Sequence, residues 1–409
     1  MEGLRAVSMF SGCGGFCEGI ELAGFKVLAA VEKDRFAAET YRKNFPGVRL
    51  LEGDAVEFLK RNSETASWVK DLKNIDLLFG GPPCQGFSQI GTRDIHDERN
   101  SLYKEFVRVL GNLRPKMFLM ENVPNLLLMR GGYFRQLILR DLRRAGYSNA
   151  TVVSVLAADF GVPQLRRRAI FVGTRDDLSL GVDLADLVQA TLDQHKGERH
   201  RTVREAIGDL PESVTDSGQV LPYPPPSSLC TFQRLMRLDT DTTIYPRARK
   251  NALLLSLHAK RALYNHHTKE ILARRLALIR HLEPGKKANS LPKKFWDGLR
   301  PEKWRRLDPD APSHTVLAQM HRDLSEFVHP TLDRWITVRE AARLQSFHDG
   351  FIFYGSEWQQ LKQIGNAVPP LLARALGVMV QQVIHVGAGS TSVRTKRREV
   401  QGLLAIASR

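Results

Sequence analysis

The sequence predicts an α/β protein built on a doubly wound sheet. Short apolar runs alternate with amphipathic stretches up to about residue 175. The apolar runs do not alternate with polar residues, which is typical of strands that helices bury on both faces of a sheet. Strands that alternate with helices form βαβ units, and these build a doubly wound fold.

Seven strands and three helices are predicted in this part of the chain. The strands are expected at 6–10, 26–32, 48–54, 75–81, 117–122, 151–156 and 169–174. The clearest helical patterns lie between strands, at 34–43, 101–113 and 133–145. Apolar residues recur there with the spacing of a helix that packs one face against a sheet.

A second, less regular region is predicted from about residue 212. The segment LPYPPPSSLC is rich in turn residues, and the residues after it mix basic clusters with scattered aromatic side chains. TVREA occurs at 202 and again at 337, and each copy predicts a helix that opens with a capping box. We therefore expect a first domain at 1–205 that 337–387 complete, a basic domain at 206–336, and a flexible basic tail at 388–409.

The composition indicates a polyanionic partner. The net charge is +16 and the pI is about 9.9. Such an excess favours nucleic acid as the partner, and a basic surface kept for solubility is the alternative. No apolar stretch in the sequence was expected to reach membrane-spanning length, and no signal peptide precedes the first strand.

The cysteines suggest a reducing compartment and no zinc. There are four of them, and Cys13, Cys17, Cys84 and Cys230 are too scattered for a disulfide framework. No CxxC or Cys/His cluster is present, so we expect no metal site. Cys13 and Cys17 are interpreted as small packing residues, and Cys230 has no assigned role. The expected location is the cytoplasm, in association with the nucleoid.

A nucleoside-binding crevice is predicted at the carboxyl ends of the first three strands. FSGCGGF at 10–16 opens a helix, and its glycines allow a tight turn close to a ligand. Glu32 ends the second strand, where a carboxylate can hold ribose hydroxyls, and Asp54 ends the third. The alternative is that these are ordinary polar residues at the ends of strands and bind no ligand. The missing GxGxxG spacing counts against a dinucleotide, but these residues alone do not separate NAD from S-adenosylmethionine.

A cysteine and a glutamate are predicted to face each other in the same crevice. The turn GGPPCQ after the fourth strand presents Cys84, and ENV ends the fifth strand with Glu121. Beside a methyl donor, this pair suits methylation of cytosine C5. A thiolate adds to C6 while a proton is given to N3, C5 then takes the methyl group, and β-elimination releases the product. A buried, inert cysteine is the alternative for Cys84.

The segment QLRRR between the last two strands supplies basic side chains. In an extended segment Gln164, Arg166 and Arg168 share one face. Arg168 is expected to hold the pyrimidine O2 and to favour the thiolate by its charge. Arg166 is expected to brace the active-site loop or a phosphate. A solvated charge run is the alternative reading of these residues.

With these motifs in hand, the chain resembles the DNA cytosine-5 methyltransferases, of the compact prokaryotic type, over nearly its whole length. The motifs that carry the resemblance follow one another in the family's order: FSGCGGF, VEKD, EGD, GGPPCQGFS, ENV, QLRRR, REAARLQSF and QIGNAVPP. The resemblance implies the fold of the S-adenosylmethionine-dependent methyltransferases. It also implies that 1–205 is the catalytic domain and that 206–336 is a target-recognition domain for double-stranded DNA.

The resemblance also implies roles for single residues. Glu32 would bind the ribose and Asp54 the adenine amino group, while the Pro82 carbonyl would accept from the cytosine N4 amine. Gly365 would return from the C-terminal segment to complete the pocket. The implied catalytic residues are Cys84, Glu121, Arg166 and Arg168. The implied cofactor contacts are Phe10, Ser11, Gly12, Gly14, Gly15, Glu32, Asp54, Pro82, Asn366 and Val368. The implied substrate contacts are Pro82, Pro83, Gln85, Ser88, Asn122 and Gln164.

One position departs from the family pattern. Lys33 stands where relatives often carry a large apolar residue against the adenine. Stacking on the adenine is therefore not expected from this side chain.

Methylation of a duplex requires the cytosine to leave the stack. The long polar loop at 86–100 fits a lid that closes over the minor groove, with a passive surface loop as the alternative. Phosphate contacts from the basic region would supply most of the affinity. The enzyme is expected to act as a monomer on DNA and to be linked functionally to a restriction enzyme or another DNA defence protein.

Two other functions remain open from the sequence. The first is methylation of RNA, as in the branch of the family that modifies tRNA. The long basic insert between QLRRR and REAARLQ favours duplex DNA over this reading. The second is a DNA-binding scaffold without activity, and the presence of all the residues needed for catalysis speaks against it.

Overall fold

The structure is a computed structural model that describes residues 3–60, 66–83, 102–224, 228–239, 262–298 and 300–388. The predictions for Cys84, Gln85 and Ser88, for the loop at 86–100 and for the tail from 389 onward therefore lie outside the described residues.

Seven strands form the main sheet. They are β1 (Arg5–Met9), β2 (Lys26–Glu32), β3 (Arg49–Glu52), β4 (Leu77–Gly80), β5 (Met117–Asn122), β6 (Thr151–Leu156) and β8 (Arg167–Thr174), while β7 (Gln164–Leu165) lies apart. Their order is β3-β2-β1-β4-β5-β8-β6. Each coincides with one of the seven predicted strands, and the predicted α/β fold class is confirmed.

The direction of the last strand is a feature that the sequence pattern did not reveal. The strands from β1 to β5 run parallel, but β8 runs antiparallel to both β5 and β6. The connection from β6 to β8 is too short for the crossover that a parallel pair needs. The carboxyl ends of the parallel strands still meet at one edge, where the crevice was predicted.

The helices pack on both faces of the sheet. They are α1 (Gly15–Leu22), α2 (Arg35–Asn44), α3 (Ala66–Val69), α4 (Leu102–Leu113), α5 (Tyr133–Arg144), α6 (Leu184–Asp193), α7 (Val203–Ile207), α8 (Thr231–Met236), α9 (Ala273–Ile279), α10 (Val338–Leu344), α11 (Glu357–Asn366) and α12 (Pro370–Gly387). Helices α4 and α5 bury one face of the sheet, and α1, α6 and α12 bury the other. The three helices predicted most clearly are α2, α4 and α5.

Both TVREA segments form the capping boxes that were predicted. The Thr202 hydroxyl accepts from the backbone of Glu205, whose carboxylate accepts from the Thr202 amide, and Thr337 and Glu340 make the same pair. These reciprocal bonds satisfy amides that a helix start otherwise leaves unpaired.

The described part of 206–336 has short elements, as the sequence suggested. Strand β9 (Leu221–Pro222) pairs with β10 (Ala262–Leu263), and β11 (Ser313–His314) pairs with β7. Its buried apolar residues, among them Phe232, Leu263 and Ile279, join the same cluster as one face of the main sheet. The domain boundaries remain a prediction.

One stretch of the fold has the composition of a membrane span. The stretch from Glu357 to Gly387, which comprises α11 and α12, is long and apolar enough to cross a bilayer, but 78% of its apolar window is buried inside the protein. The expectation that no stretch approaches this length was therefore wrong. Burial of α12 against α1 explains its apolar composition.

Candidate active site

A cavity of about 510 Å³ opens at the carboxyl edge of the sheet. The carboxyl ends of five strands, β1 to β5, contribute to it, together with the start of β8 and two segments from later in the chain. Its lining includes Phe10, Gly12, Glu32, Lys33, Asp54, Gly81, Pro82, Pro83, Glu121, Asn122, Arg166, Arg168, Leu317, Ala318, Gln319, Lys362, Gly365 and Asn366. The cavity thus joins the predicted cofactor residues to the predicted catalytic ones.

The glycine-rich turn after β1 is shaped for close approach. Gly12 and Gly14 have positive φ angles of 57° and 108°, which residues other than glycine rarely adopt. A Cβ at Gly15 would lie 2.5 Å from the carbonyl oxygen of Val368, so only glycine lets this turn meet the later segment. Ser11 is buried and bonded through its hydroxyl to Ser8 at 2.8 Å. The predicted residues Gly14, Gly15 and Val368 therefore shape the pocket from behind.

Two backbone amides hold the carboxylate of Glu32 in the part of the cavity that is predicted to bind the cofactor. Oε2 accepts from the amide of Gly12 and Oε1 from that of Asp34, both at 2.7 Å. Burial raises the pKa of this carboxyl from its ordinary value, against the lowering effect of the two amides. Each carboxylate oxygen keeps lone pairs beyond those two bonds, so Glu32 can still accept from a pair of hydroxyl groups.

Asp54 already has a partner at the pocket rim. Its Oδ2 lies 2.8 Å from Nζ of Lys33, and its Oδ1 accepts from the amide of Val56 at 3.1 Å. The hydrogen bond from Lys33 lowers the pKa of Asp54 and raises the pKa of Lys33. Lys33 is 75% exposed. Lys33, which departs from the family pattern, therefore forms an ion pair with the carboxylate that is expected to bind the adenine.

The catalytic side is organised by an ion pair between two neighbouring strands. Nε of Arg168 lies 2.7 Å from Oε1 of Glu121, and these side chains are only 10% and 13% exposed. Burial lowers the pKa of Arg168, and the nearby carboxylate offsets part of that effect. A Cβ at Gly81 would lie 3.0 Å from Oε2 of Glu121, so the glycine leaves room for the carboxylate. The Glu121 carboxylate and the Arg168 guanidinium are therefore both available on the same side of the cavity.

Asn122 joins the end of β5 to the turn that precedes Cys84. Its amide nitrogen donates to the carbonyl of Pro82 at 3.2 Å, and its side-chain oxygen accepts from the amide of Val123 at 2.8 Å. Pro82 and Pro83 both line the cavity. The proline turn is therefore fixed beside Glu121, directly before the position of the predicted nucleophile.

Gln164 and Arg166 point inward, on the same face as Arg168, as the alternation predicted. Arg166 is fully buried and donates to the carbonyls of Val316, Ala367 and Gly365 at 2.8, 3.0 and 3.2 Å. Burial lowers the pKa of Arg166 well below its usual value. These three bonds tie the arginine strand to both later segments of the pocket.

Gln164 is also occupied within the fold. Its amide nitrogen donates to the carbonyl of Leu344 and to Oε1 of Gln345, both at 2.9 Å, and its oxygen accepts from the amide of Val316 at 2.8 Å. The side chain has no exposed surface. The structure therefore places Gln164 behind the cavity rather than in its wall, and its expected contact with substrate stays a prediction.

Sequence reasoning missed part of the pocket wall. Leu317, Ala318 and Gln319 line the cavity although no motif marks them, and they come from the basic region. Lys362, in α11 directly before QIGN, also lines it and pairs with Asp34 at 2.7 Å. Contacts with distant residues bring this segment to the site: the Val316 carbonyl accepts from Arg166, its amide donates to Gln164, and Gly365 packs on the Leu317 backbone.

The two cysteines of the glycine-rich turn are inert. Cys13 is fully buried, and burial raises the pKa of its thiol to about 12. Cys17 is buried as well and lies 3.2 Å from the hydroxyl of Tyr41. Both are packing residues, as expected. Within the described ranges no group of three His, Cys, Asp or Glu side chains could hold a metal ion.

Comparisons with known sequences agree on one family. The model of the C-5 cytosine-specific DNA methylases matches residues 4–382. The type II methyltransferase M.AgeI of Thalassovita gelatinovora is 35% identical, and the alignment covers 93% of this chain and 100% of the relative. The type II methyltransferase M.DdeI of Desulfomicrobium norvegicum is 33% identical, with 91% and 87% covered.

Solved structures agree on the fold. A candidate DNA modification methyltransferase encoded within an Escherichia coli prophage superposes with a TM-score of 0.73 at 27% identity, over 93% of this chain and 99% of the other. The Dnmt2 methyltransferase of Schizosaccharomyces pombe superposes with a TM-score of 0.54 at 16% identity, over 93% and 98%, which shows the fold alone.

The sequence, the fold and the site lead to one assignment. Enzymes of this family take their methyl group from S-adenosylmethionine, and the carboxylates and the glycine-rich turn fit its ribose and its amino acid part. This chain belongs to the C-5 cytosine-specific DNA methylase family and is a type II-like DNA cytosine-5 methyltransferase.

Proposed function

We propose that the enzyme methylates carbon 5 of a cytosine that has been extruded from duplex DNA, through a transient bond between Cys84 and C6. The observation that carries this proposal is the buried Glu121–Arg168 pair beside the proline turn that leads into Cys84. A carboxyl group and a guanidinium, both largely buried on one side of the cavity, match the N3 and O2 edge of cytosine.

In this proposal Glu121 holds a proton at N3 of the ring. Protonation there withdraws electrons from C6 and makes it an acceptor for the Cys84 thiolate. Arg168 binds O2 and keeps the Glu121 carboxyl in place, since the two side chains lie 2.7 Å apart. The carbonyl of Pro82 accepts from the N4 amine in this proposal, since Pro82 lines the cavity and is fixed beside Glu121 through Asn122.

Addition of sulfur makes C5 a nucleophilic enamine carbon. S-adenosylmethionine, when bound, supplies the methyl group that C5 accepts. A base then removes the proton from C5, the C6–S bond breaks, and the Cys84 thiolate is released. Glu32 and Asp54 would hold the ribose and the adenine, and Phe10, Gly12 and Asn366, which also line the cavity, would complete that side of it.

Arg166 and Gln164 act in this proposal as positioning residues. Their hydrogen bonds hold backbone carbonyls and amides of 316, 344, 365 and 367 in place around the cavity that Arg166 lines. They would hold the walls of the pocket at a fixed distance from Arg168. We assign the ring contact to Arg168 alone.

The region at 206–336 would read the DNA sequence, and 1–205 with 337–387 would carry the chemistry. The segment 317–319 belongs to the proposed recognition region and lines the cavity of the proposed catalytic domain. A monomer on DNA, a cytoplasmic location and a functional link to a restriction enzyme or another defence protein complete the proposal. The family description, C-5 cytosine-specific DNA methylase, favours DNA over RNA as the substrate.

A duplex that carries 5-fluorocytosine at the target tests the covalent step. With S-adenosylmethionine present, C5 takes the methyl group but carries fluorine in place of the proton, so elimination fails and the Cys84 adduct should persist. Bisulfite sequencing of DNA from cells that express the enzyme first identifies the target sequence. We expect an adduct with wild type and with the control C230S, since Cys230 lies away from the cavity, and none with C84S. An adduct with C84S would overturn the proposed nucleophile.

A further inference from the structure

A strongly basic surface lies outside the site described above, on the exposed side of α5. A shallow groove of about 500 Å³ is lined by Arg135, Gln136, Leu139, Arg140, Arg143 and Arg144. Four of these six residues are arginines and none is acidic. Neither the predicted catalytic residues nor the region at 206–336 contributes to this groove.

The arginines are not needed to hold α5 on the sheet. Phe134, Ile138 and Leu142 fix the helix by burial on its other side. Arg140 and Arg144 are four residues apart, and like charges at that spacing cost a helix about 0.2–0.5 kcal/mol. Arg135 stands in the first turn, where the helix dipole disfavours a cation. In the last turn, the helix dipole favours cations, and Arg143 also donates to the Ala150 carbonyl at 3.2 Å. These two effects explain the arginines of the last turn but not Arg135 or Arg140.

Little within the fold neutralises this charge. Asp141 is the acidic residue of α5; it lies 3.1 Å from Arg140 and also accepts from the hydroxyl of Tyr103 at 2.9 Å. Among the described residues, Arg135 and Arg144 have no hydrogen-bond or ion-pair partner. Two to three positive charges of the groove are therefore left for an external anion.

The chain leads directly from the mouth of the active site to the start of α5. Val123 follows Asn122, lines the cavity and is 40% exposed. The chain then passes Leu128, which is 77% exposed, and reaches Tyr133, which is 52% exposed, at the start of α5. Exposed apolar side chains therefore occur along the segment that joins the cavity to the helix that carries the arginines.

We propose that α5 and the segment 123–135 form a second DNA-binding surface, which holds backbone phosphates of the duplex that flanks the target site. This inference rests on the proposed function, because the target base fixes where the duplex lies. Arginine suits phosphate oxygens through its paired donors. A helix of this length spans about 18 Å, which corresponds to about five base pairs of duplex. The occupant is thus flanking DNA rather than an acidic protein.

The test compares salt-dependent binding to a short and a long duplex. Dissociation constants are measured by fluorescence anisotropy for a duplex of about 12 base pairs and one of about 30, each with one target site at its centre. The double variant R135Q/R144Q removes two charges that no described residue binds. The slope of log K against log salt should shrink by about 1.8 on the long duplex, at about 0.9 per phosphate contact, and change little on the short one.

Two controls make the outcome specific. K43Q with R42Q removes the same charge from α2, which packs on the opposite face of the sheet, and should leave the length dependence unchanged. The double variant R135K/R144K keeps the charge and should restore most of the slope. Equal slopes for wild type and R135Q/R144Q on the long duplex would overturn the proposal and leave an acidic protein as the partner of this face. Methyl transfer to the short duplex is scored separately, so a failure of the proposed function would be seen there.

Discussion

The guanidinium of Arg166 donates to the carbonyl of Ala367 at 3.0 Å and ties the strand that carries Arg168 to the turn before α12. The same side chain also reaches Val316 and Gly365. One fully buried arginine therefore joins three parts of the chain that are distant in sequence, and all three line the cavity. This relationship separates two arginines that the motif QLRRR presents as equivalent.

Replacing Arg166 or Arg168 by lysine should have different consequences. R166K leaves at least one buried carbonyl without a donor, which costs about 1–3 kcal/mol of the free energy of unfolding. R168K keeps a cation beside Glu121 at the cavity and should lower kcat with little loss of stability. Thermal unfolding and single-turnover kinetics of both variants check this. A similar melting temperature for R166K and R168K would contradict the division of roles.

Glu121 should be needed for chemistry and not for binding. In E121Q the amide can still accept from Arg168, but it cannot hold a proton at N3 of the base. We expect kcat to fall about 10²- to 10⁴-fold, as for loss of a general acid. The dissociation constant for duplex DNA should stay within a small factor of wild type. Fluorescence anisotropy and single-turnover methylation measure the two, and an equal loss in both would mean that Glu121 holds the structure instead.

Lys33 should weaken binding of the methyl donor. Its ammonium lies 2.8 Å from Asp54 and competes with the adenine amino group for that carboxylate. The pair is largely exposed, and such pairs contribute at most about 1 kcal/mol. K33M should therefore lower KM for S-adenosylmethionine about two- to fivefold, with kcat unchanged. Initial rates at varied S-adenosylmethionine measure this effect, and it should diminish at high salt, where the pair is screened. A raised KM in K33M would show that Lys33 contributes to the adenine site.

The sequence was sufficient where local pattern decides the structure. The strands, the capping boxes at Thr202 and Thr337, and the inward alternation of Gln164 and Arg166 all follow from side-chain period and helix-start chemistry. The wall at Leu317 could not be predicted in this way. Its position depends on bonds to Arg166 and on close packing against Gly365, and contacts between distant segments leave no periodic signal.

Folding stability should fall as the pH drops below about 6.5, because two histidines are buried in the neutral form. Burial lowers the pKa of His314 to about 3 and that of His329 to about 4. His314 stacks on Phe327 at 4.4 Å, and within the described residues its Nε2 has no hydrogen-bond partner. Nδ1 of His329 accepts from the amide of Leu332 at 3.1 Å, so a proton there would break that bond.

The sign follows from proton binding in the two states. Between pH 6.5 and about 4 the unfolded chain protonates both histidines and the folded chain neither, so the unfolded state binds more protons and gains stability as the pH falls. Each site can contribute up to about 1.4 kcal/mol per pH unit. Urea unfolding at about pH 7, 6 and 5 should therefore show a falling free energy of unfolding. H314F should flatten that slope, because phenylalanine keeps the stacking and cannot titrate, whereas H385Q, at an exposed position near the end of α12, should not. A wild-type slope near zero would mean that these rings are hydrated in the folded protein and titrate as they do in the unfolded chain.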